Sequence, residues 1–314
     1  MQCTRCILKC NYGEEKCENV KKGKDVYPYQ ILMITQSKIE LIPIYHYIIN
    51  ATVINIWIPG PITKCDICPW SMNLCLSALE LRRINMNHVL DIFKRLKGDA
   101  ISIMGCEPLI NKWVHELIYK LKRRNVNVIA KLTPMIDKDY IARSLDNVDC
   151  VFLEISEIHE HIDWYKIYEL AQHILSMNIH VEIGLVVNPN NYWNLVNIRK
   201  SLTEIAKLNK YTPIHIIPRT IDDYQERTIS KIVNEIIEMG YLYYYVKGDP
   251  THRYTTTRCP KCKTPLILRD EFGVKKMVLR NNKCPFCGFD LKIKALKPLS
   301  KIKATRLFSE EIVW

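Results

Sequence analysis

Thirteen cysteines fall mainly into three sets along a chain of 314 residues, and their spacing limits the chemistry the protein can host. The last set, Cys259, Cys262, Cys284 and Cys287, consists of two C-P-x-C pairs with 21 residues between them. Each pair turns tightly enough for both sulfurs to face one ion about 2.3 Å away, and four thiolates close a tetrahedral zinc site with no position left for substrate. The intervening "PLILRDEFGVKKMVL" reads as two strands and a turn. The module is therefore a zinc ribbon, in which the metal substitutes for a core that so short a segment lacks. The first set, Cys3, Cys6, Cys10 and Cys17, places four thiols within fifteen residues. It suits a second closed zinc site, with an iron–sulfur cluster as the rival because that too takes four thiolates. The middle set, Cys65, Cys68 and Cys75 in "IWIPGPITKCDICPWSMNLC", follows an apolar strand. A cluster held by three cysteines keeps one iron free for an outside ligand, so this set is the one with catalytic potential. Cys106 and Cys150 stand alone.

These residues need elements to position them. From Val53 to about Lys247, short β-rich runs alternate with longer segments of helical period, the pattern of successive β-α units and a parallel sheet. The expected strands are "VINIWI", "AISIMG", "VNVIAKL", "VDCVFLEIS", "IHVEIGLVV", "PIHIIP" and "YLYYYV". Their near-continuous apolarity suits strands covered on both faces. Trp113, Val114, Leu117, Ile118 and Leu121 recur at helical spacing, and "RRN" ends that helix with positive charge and an Asn. Ile229, Ile232, Val233, Ile236 and Ile237 repeat the pattern before Gly240. Six or seven such units predict an α/β fold, a complete or partial TIM-like barrel with ligand sites at the C-terminal ends of its strands. The segment "YPYQILMITQSKIELIPIYHYII" ahead of them reads as one or two strands and a linker. The expected division is an N-terminal Cys-cluster segment over 1–50, the barrel over 51–250, the ribbon over 251–295 and a basic tail over 296–314.

Forty-five Lys and Arg against 33 Asp and Glu leave a net charge of +12, which favours anionic partners such as nucleic acid or acidic proteins. Many of these charges lie on expected helix faces, as in "YKLKRRN", where solvated charge is ordinary. No run approaches the roughly 18 apolar residues of a membrane span, and no basic-then-apolar leader opens the chain. The expectation is a cytoplasmic protein without membrane contact, and in that reducing compartment the cysteines point to metal or redox chemistry instead of structural disulfides.

Taken in order, several stretches resemble one family nearly end to end: "CTRCILKC", "IELIPIYHYI", "PGPITKCDICPW", "ISIMGCEP", "GYLYYYVKGDPTHRYTTTRCPKC" and the ribbon. They resemble the radical S-adenosylmethionine enzymes, and within them the radical branch of the AmmeMemoRadiSam system, itself similar to pyruvate formate-lyase activases. The resemblance implies a partial (β/α)6-type barrel and a [4Fe-4S] cluster on a Cys-x3-Cys-x2-Cys loop after the first strand. Cys65 and Cys68 match the second and third ligands, while Pro61 stands at the first and offers no sulfur. Cys75 is the obvious substitute, because its loop is long enough to fold back on an iron, and Cys106 is the alternative. "GCEP" resembles the element whose exposed backbone bonds the amino group of S-adenosylmethionine, which would place Gly105, Cys106 and Glu107 at the cofactor. In "FLEIS", Glu154 keeps the carboxylate of an Asp-x-Lys pair of the close relatives, and Ser156 replaces its lysine. Asn188 and His215 sit at strand ends facing the expected site. Plainer readings stand beside these: Cys75 as a helix start, Cys106 as a packed apolar side chain, Glu-Pro as an ordinary helix opening, Asn188 and His215 as satisfied core groups.

Two functions follow. In one, the cluster passes an electron into S-adenosylmethionine and the resulting 5′-deoxyadenosyl radical abstracts hydrogen from a substrate, which by resemblance to the activases could be another protein. In the other, favoured by Pro61 and Ser156, the barrel has lost radical chemistry and serves as a zinc-stapled binding or scaffold protein, with nucleic acid as one partner. A closed zinc site made by Cys65, Cys68, Cys75 and Cys106 together is a third arrangement.

Overall fold

The protein is described from a computed structural model covering residues 4–7, 20–21, 24–25, 28–59, 81–105, 107–188, 195–219, 225–270, 272–297 and 305–306. Its centre is one sheet whose first strand, β1 (Met33–Lys38), runs antiparallel to β2 (Thr52–Ile58). Six strands parallel to β2 then follow in sequence order: β3 (Ala100–Gly105), β4 (Asn127–Leu132), β5 (Cys150–Ser156), β6 (His180–Val187), β7 (Ile214–Pro218) and β8 (Tyr244–Val246). Thr305–Arg306 pairs with the outer edge of β1. The seven apolar runs expected as strands are thus the seven parallel strands. The last is cut to three residues, Tyr244–Val246, while the Tyr241 and Tyr243 hydroxyls donate to the Leu202 and Leu291 carbonyls.

Strands paired in sequence order with crossovers of one hand place every helix on the same face. α1 (Met86–Arg95), α2 (Lys112–Lys122), α3 (Lys138–Leu145), α4 (Trp164–Ser176), α5 (Val196–Leu208) and α6 (Glu226–Glu238) all pack there. They meet alternate strand residues such as Ile54, Ile103, Val128, Leu153, Ile183 and Ile216, each 0 % exposed. Burying such a side chain contributes roughly 1.5–3 kcal/mol. Local chemistry sets the helix limits. Asn85, Asp137 and Asp163 accept first-turn N–H groups of α1, α3 and α4. Asn125 and Gly240 take positive φ just beyond α2 and α6. The α2 residues Trp113, Val114, Leu117, Ile118 and Leu121 are buried as their spacing predicts, whereas Ile237 of α6 is 43 % exposed.

The other face of the sheet is covered by residues 39–49, which enter it as an irregular plug. Ile39, Ile42, Ile44, Tyr47 and Ile48 pack on Val53, Ala100, Ile129, Cys150 and Phe152. One wholly buried carboxylate ties the plug down. Glu182 on β6 accepts N–H bonds from Tyr45 (2.8 and 3.0 Å) and His46 (2.7 Å), and its side chain also meets His180 Nε2 (2.9 Å) and His215 Nε2 (2.6 Å). The ribbon then locks the plug from outside. Its strands β9 (Pro265–Asp270) and β10 (Gly273–Met277) form a hairpin, and Arg269 of β9 lies 4.1 Å over the Tyr45 ring while donating to the Tyr45 carbonyl at 3.1 Å. Ala295–Leu296 pairs with Ile48–Ile49, and Tyr45, Ile49, Tyr243 and Tyr245 share a core with Cys259, Leu266, Cys284 and Leu291. Ribbon, plug and sheet thus share one buried core.

Burial alone would raise the Glu182 carboxyl, but the bonds from His180 and His215 hold it well below its ordinary range. Burial pushes His215 down despite the carboxylate, and His46 down to about 3 from its ordinary 6.5. Each of these groups binds protons more readily when unfolded, so their shared contribution to stability is complete above about pH 6.5 and is lost as the pH falls. Melting temperature should therefore decline from about pH 6.5 downward, and Glu182→Gln, which opposes an amide NH2 to these donors, should cost about 3–5 kcal/mol in urea unfolding at pH 7.5. An E182Q variant as stable as the parent would contradict the role given to this carboxylate.

Candidate functional site

The inner face of the sheet is layered along the strand direction. Nearest the N-terminal ends lies the Glu182 hub. Phe152 on β5 stands level with Glu182 in the strand register, and its ring leans so closely over Gly184 that a Cβ there would stand 2.3 Å from it. Beyond Phe152, toward the C-terminal ends, the side chains turn polar. Lys131 on β4 and Glu154 on β5 form an ion pair at 2.7 Å, with Lys131 only 8 % exposed. Thr133, just past β4, donates its backbone N–H (2.9 Å) and hydroxyl (2.5 Å) to Glu107 Oε2, leaving the buried Glu107 Oε1 without a partner among the described residues. Burial pushes the Glu107 carboxyl up to about 8, against the pull of Thr133 and Lys131, so at neutral pH it is largely protonated. Lys247, one residue beyond β8, is exposed yet flanked by enough protein to push its ammonium down, with Glu154 drawing it back up.

Gly105 ends β3 at φ +131°, and a Cβ would stand 2.5 Å from the Ile58 carbonyl at the end of β2. Only glycine lets the two strand ends approach this closely. Ser156 caps a turn: its N–H donates to His159 Nδ1 at 3.0 Å, and its hydroxyl lies 3.4 Å from the same atom, at the start of Glu157–His159. His159 Nε2 is buried and has no partner among the described residues, and burial together with the Lys131 charge pushes this imidazole down to about 3. Asn188 follows β6 half-buried. His215, 1 % exposed, is bonded to Glu182 and stacked 5.2 Å from Tyr245. The structure therefore brings Gly105, Glu107 and Glu154 to the C-terminal strand ends and engages His215 in the hub. Pro61, Cys65, Cys68, Cys75 and Cys106 lie outside the described residues. Lys131, Thr133, His159 and Lys247 escaped the sequence-based selection; a lysine at an inward position of an otherwise apolar strand, "NVIAKL", is the signal that pointed to the first.

The ribbon cysteines converge. Cys259, Cys262, Cys284 and Cys287 place their sulfurs within 4.8 Å of one another, with Cys259–Cys287 at 3.5 Å and Cys262–Cys284 at 3.6 Å. A tetrahedral Zn–S distance near 2.3 Å demands sulfur separations of about 3.8 Å, so the donor set fits a metal ion. Each pair sits on a tight knuckle, closed by Lys263 N–H to Cys259 O and Gly288 N–H to Cys284 O, with Lys263 and Gly288 at positive φ. At the other end of the chain, Cys6 is buried in the main core beside an antiparallel bridge to Ile136, while Cys3, Cys10 and Cys17 lie outside the described residues.

No family model matches the chain, and no curated protein does. Among solved structures it is similar to SuiB of Streptococcus suis bound to S-adenosylmethionine, at 12% identity and a TM-score of 0.43 over 62% of this chain and 48% of that one. It is also similar to SuiB bound to the precursor peptide SuiA (14%, TM-score 0.41, 55% and 44%) and to a protein named as a deoxyribose-phosphate aldolase from Coccidioides immitis (13%, TM-score 0.30, 43% and 53%). The chain spans about half the length of these structures. No helix among the described residues is long and apolar enough to cross a membrane.

Because the sulfur site shares its core with Tyr45 and Tyr245, metal loss should weaken the whole domain. Metal analysis of the purified chain should give about one tightly held divalent ion at these four thiols. Cys259→Ser with Cys284→Ser should abolish it and lower the single melting transition; an unchanged transition would refute this coupling.

Proposed function

We propose that the protein is an enzyme of the radical S-adenosylmethionine type, with its cofactor at the C-terminal strand ends and zinc in the ribbon. The observation that carries this reading is the Lys131–Glu154 pair near two buried atoms, Glu107 Oε1 and His159 Nε2, that have no partner among the described residues, with the glycine strand end at Gly105 two residues before Glu107. Buried polar atoms without partners are uncommon, and a ligand is one explanation for them. S-adenosylmethionine carries an ammonium, a carboxylate and ribose hydroxyls, and these residues complement that set. Glu154 and strand-end carbonyls attract the ammonium, Lys131 or Lys247 the carboxylate, and protonated Glu107 and neutral His159 each offer a donor, since His159 Nδ1 already accepts the Ser156 N–H and leaves its proton on Nε2. Lys131, arriving from the neighbouring strand, supplies the cation that Ser156 does not.

Cys65, Cys68 and Cys75 would hold the [4Fe-4S] cluster, with Cys106 as the alternative third ligand. The cluster and cofactor together would supply reductive cleavage of the sulfonium and hydrogen abstraction from substrate. The protein's part is orientation and exclusion of water: Phe152, Trp57 and Met104 line the inner face beneath the polar layer, and the plug closes the sheet behind them. Likeness to the activase-related branch of the family extends the proposal to a protein substrate. A binding protein without radical chemistry is the second reading, favoured by Pro61.

The test is 5′-deoxyadenosine formation by anaerobically reconstituted, reduced protein. The parent should form it, Cys75→Ala should not, and Lys131→Met or Glu154→Gln should lower turnover at limiting cofactor at least about tenfold, as loss of a charged contact predicts. Parent protein that forms none, or variants indistinguishable from an active parent, would overturn the assignment.

A further inference from the structure

Residues 257–297 carry eleven Lys and Arg against three Asp and Glu, so this short ribbon holds +8 of the chain's net +12. Four thiolates around a dication would still leave roughly +6. Apart from Arg269, which is buried against Tyr45 and Thr257, little of this charge is consumed locally. Among the described ribbon residues, ion pairs engage only Lys292, with Asp290, and Lys297, with Asp99. Arg258, Lys261, Lys263 and Lys283 flank the cysteine knuckles and are all exposed. Between Cys284 and Cys287, at the place matching Lys261 in the first knuckle, stands Phe286, with 66 % of its surface exposed. Because all four sulfurs lie within 4.8 Å of one another, both knuckle tips belong to one end of the ribbon, and cations and aromatic ring share that end. Phe286 contributes nothing to the ribbon core, which is filled by Leu266, Ile267, Leu291, Ile293 and the plug tyrosines. An exposed ring fixed between two metal ligands is a preformed stacking platform, ordered at little entropic cost.

We propose that the knuckle end of the ribbon binds single-stranded polynucleotide, with Phe286 stacking on an unpaired base and Arg258, Lys261, Lys263 and Lys283 following the phosphates. Charge complementarity demands a polyanion, and the ring selects among polyanions. An acidic peptide satisfies the lysines but gives Phe286 no planar partner, while a duplex keeps its base faces stacked on each other. This surface is separate from the strand-end site and stands whether or not that site performs radical chemistry.

The experiment is fluorescence anisotropy with the full, metal-loaded chain and a labelled 12-nucleotide mixed-sequence RNA, the same sequence as DNA, its duplex, and polyglutamate as competitor. Single strands should bind with log affinity falling against log salt at a slope of about −3, the value for four phosphate contacts. Phe286→Ala should weaken binding by about fivefold to a hundredfold, with metal content and melting temperature unchanged. Lys261→Ala with Lys283→Ala should flatten the salt slope. The tighter of RNA and DNA identifies the natural strand, and equal binding by both supports the shared chemistry. Undiminished binding by F286A, a duplex bound as tightly as single strands, or polyglutamate competing as well as RNA would overturn the proposal.

Discussion

A carboxylate with no contact to water must be met by donors on all sides, and in this protein Glu182 organises the interior because of that demand. Its partners come from three places: imidazoles on β6 and β7, and two consecutive backbone N–H groups of the plug. The plug has no strand pairing at Tyr45 and His46, so the carboxylate replaces the ladder that would otherwise satisfy its backbone. Once Tyr45 is fixed, its ring and carbonyl form the seat for Arg269, and the ribbon follows. A single charge on one strand thus sets the position of a segment 136 residues earlier and of a module beyond the last parallel strand.

That arrangement decides where chemistry can occur. The plug and ribbon cover the N-terminal side of the sheet, and among the described residues neither reaches the C-terminal strand ends, the location that parallel β-α folds reserve for ligands. The polar groups there differ from those of the hub. Glu182 is met by donors at both oxygens, whereas Glu107 and His159 each present a buried atom with no partner among the described residues. Burial holds both in their neutral forms around the charged Lys131–Glu154 pair, so the site combines one fixed ion pair with two uncharged hydrogen-bonding ends.

Much of the architecture was legible in the sequence because the seven parallel strands are nearly unbroken apolar runs, covered on both faces, and the helices between them end at Asn125 and Gly240 as the capping rules require. The two C-P-x-C pairs were equally plain, since tight knuckles bring their own sulfurs together without help from distant parts of the chain. The plug was less so. "IELIPIYHYI" is apolar without a period, because it fills an interior from all directions instead of presenting one face. Glu182 and His215 come from different strands, and no local pattern announces their bond; a histidine at a strand end looks the same whether it awaits a ligand or, as here, serves a buried acid. Lys131 was hidden for a related reason, as its meaning depends on Glu154 one strand away.

We propose that thiolates following β2 in the sequence hold a cluster with one iron open to S-adenosylmethionine, and electron paramagnetic resonance of the air-protected, reduced protein tests this most directly. The account predicts about four irons per chain and a cluster signal whose shape changes when S-adenosylmethionine is added. Iron-free protein, or a signal indifferent to the cofactor, would contradict it.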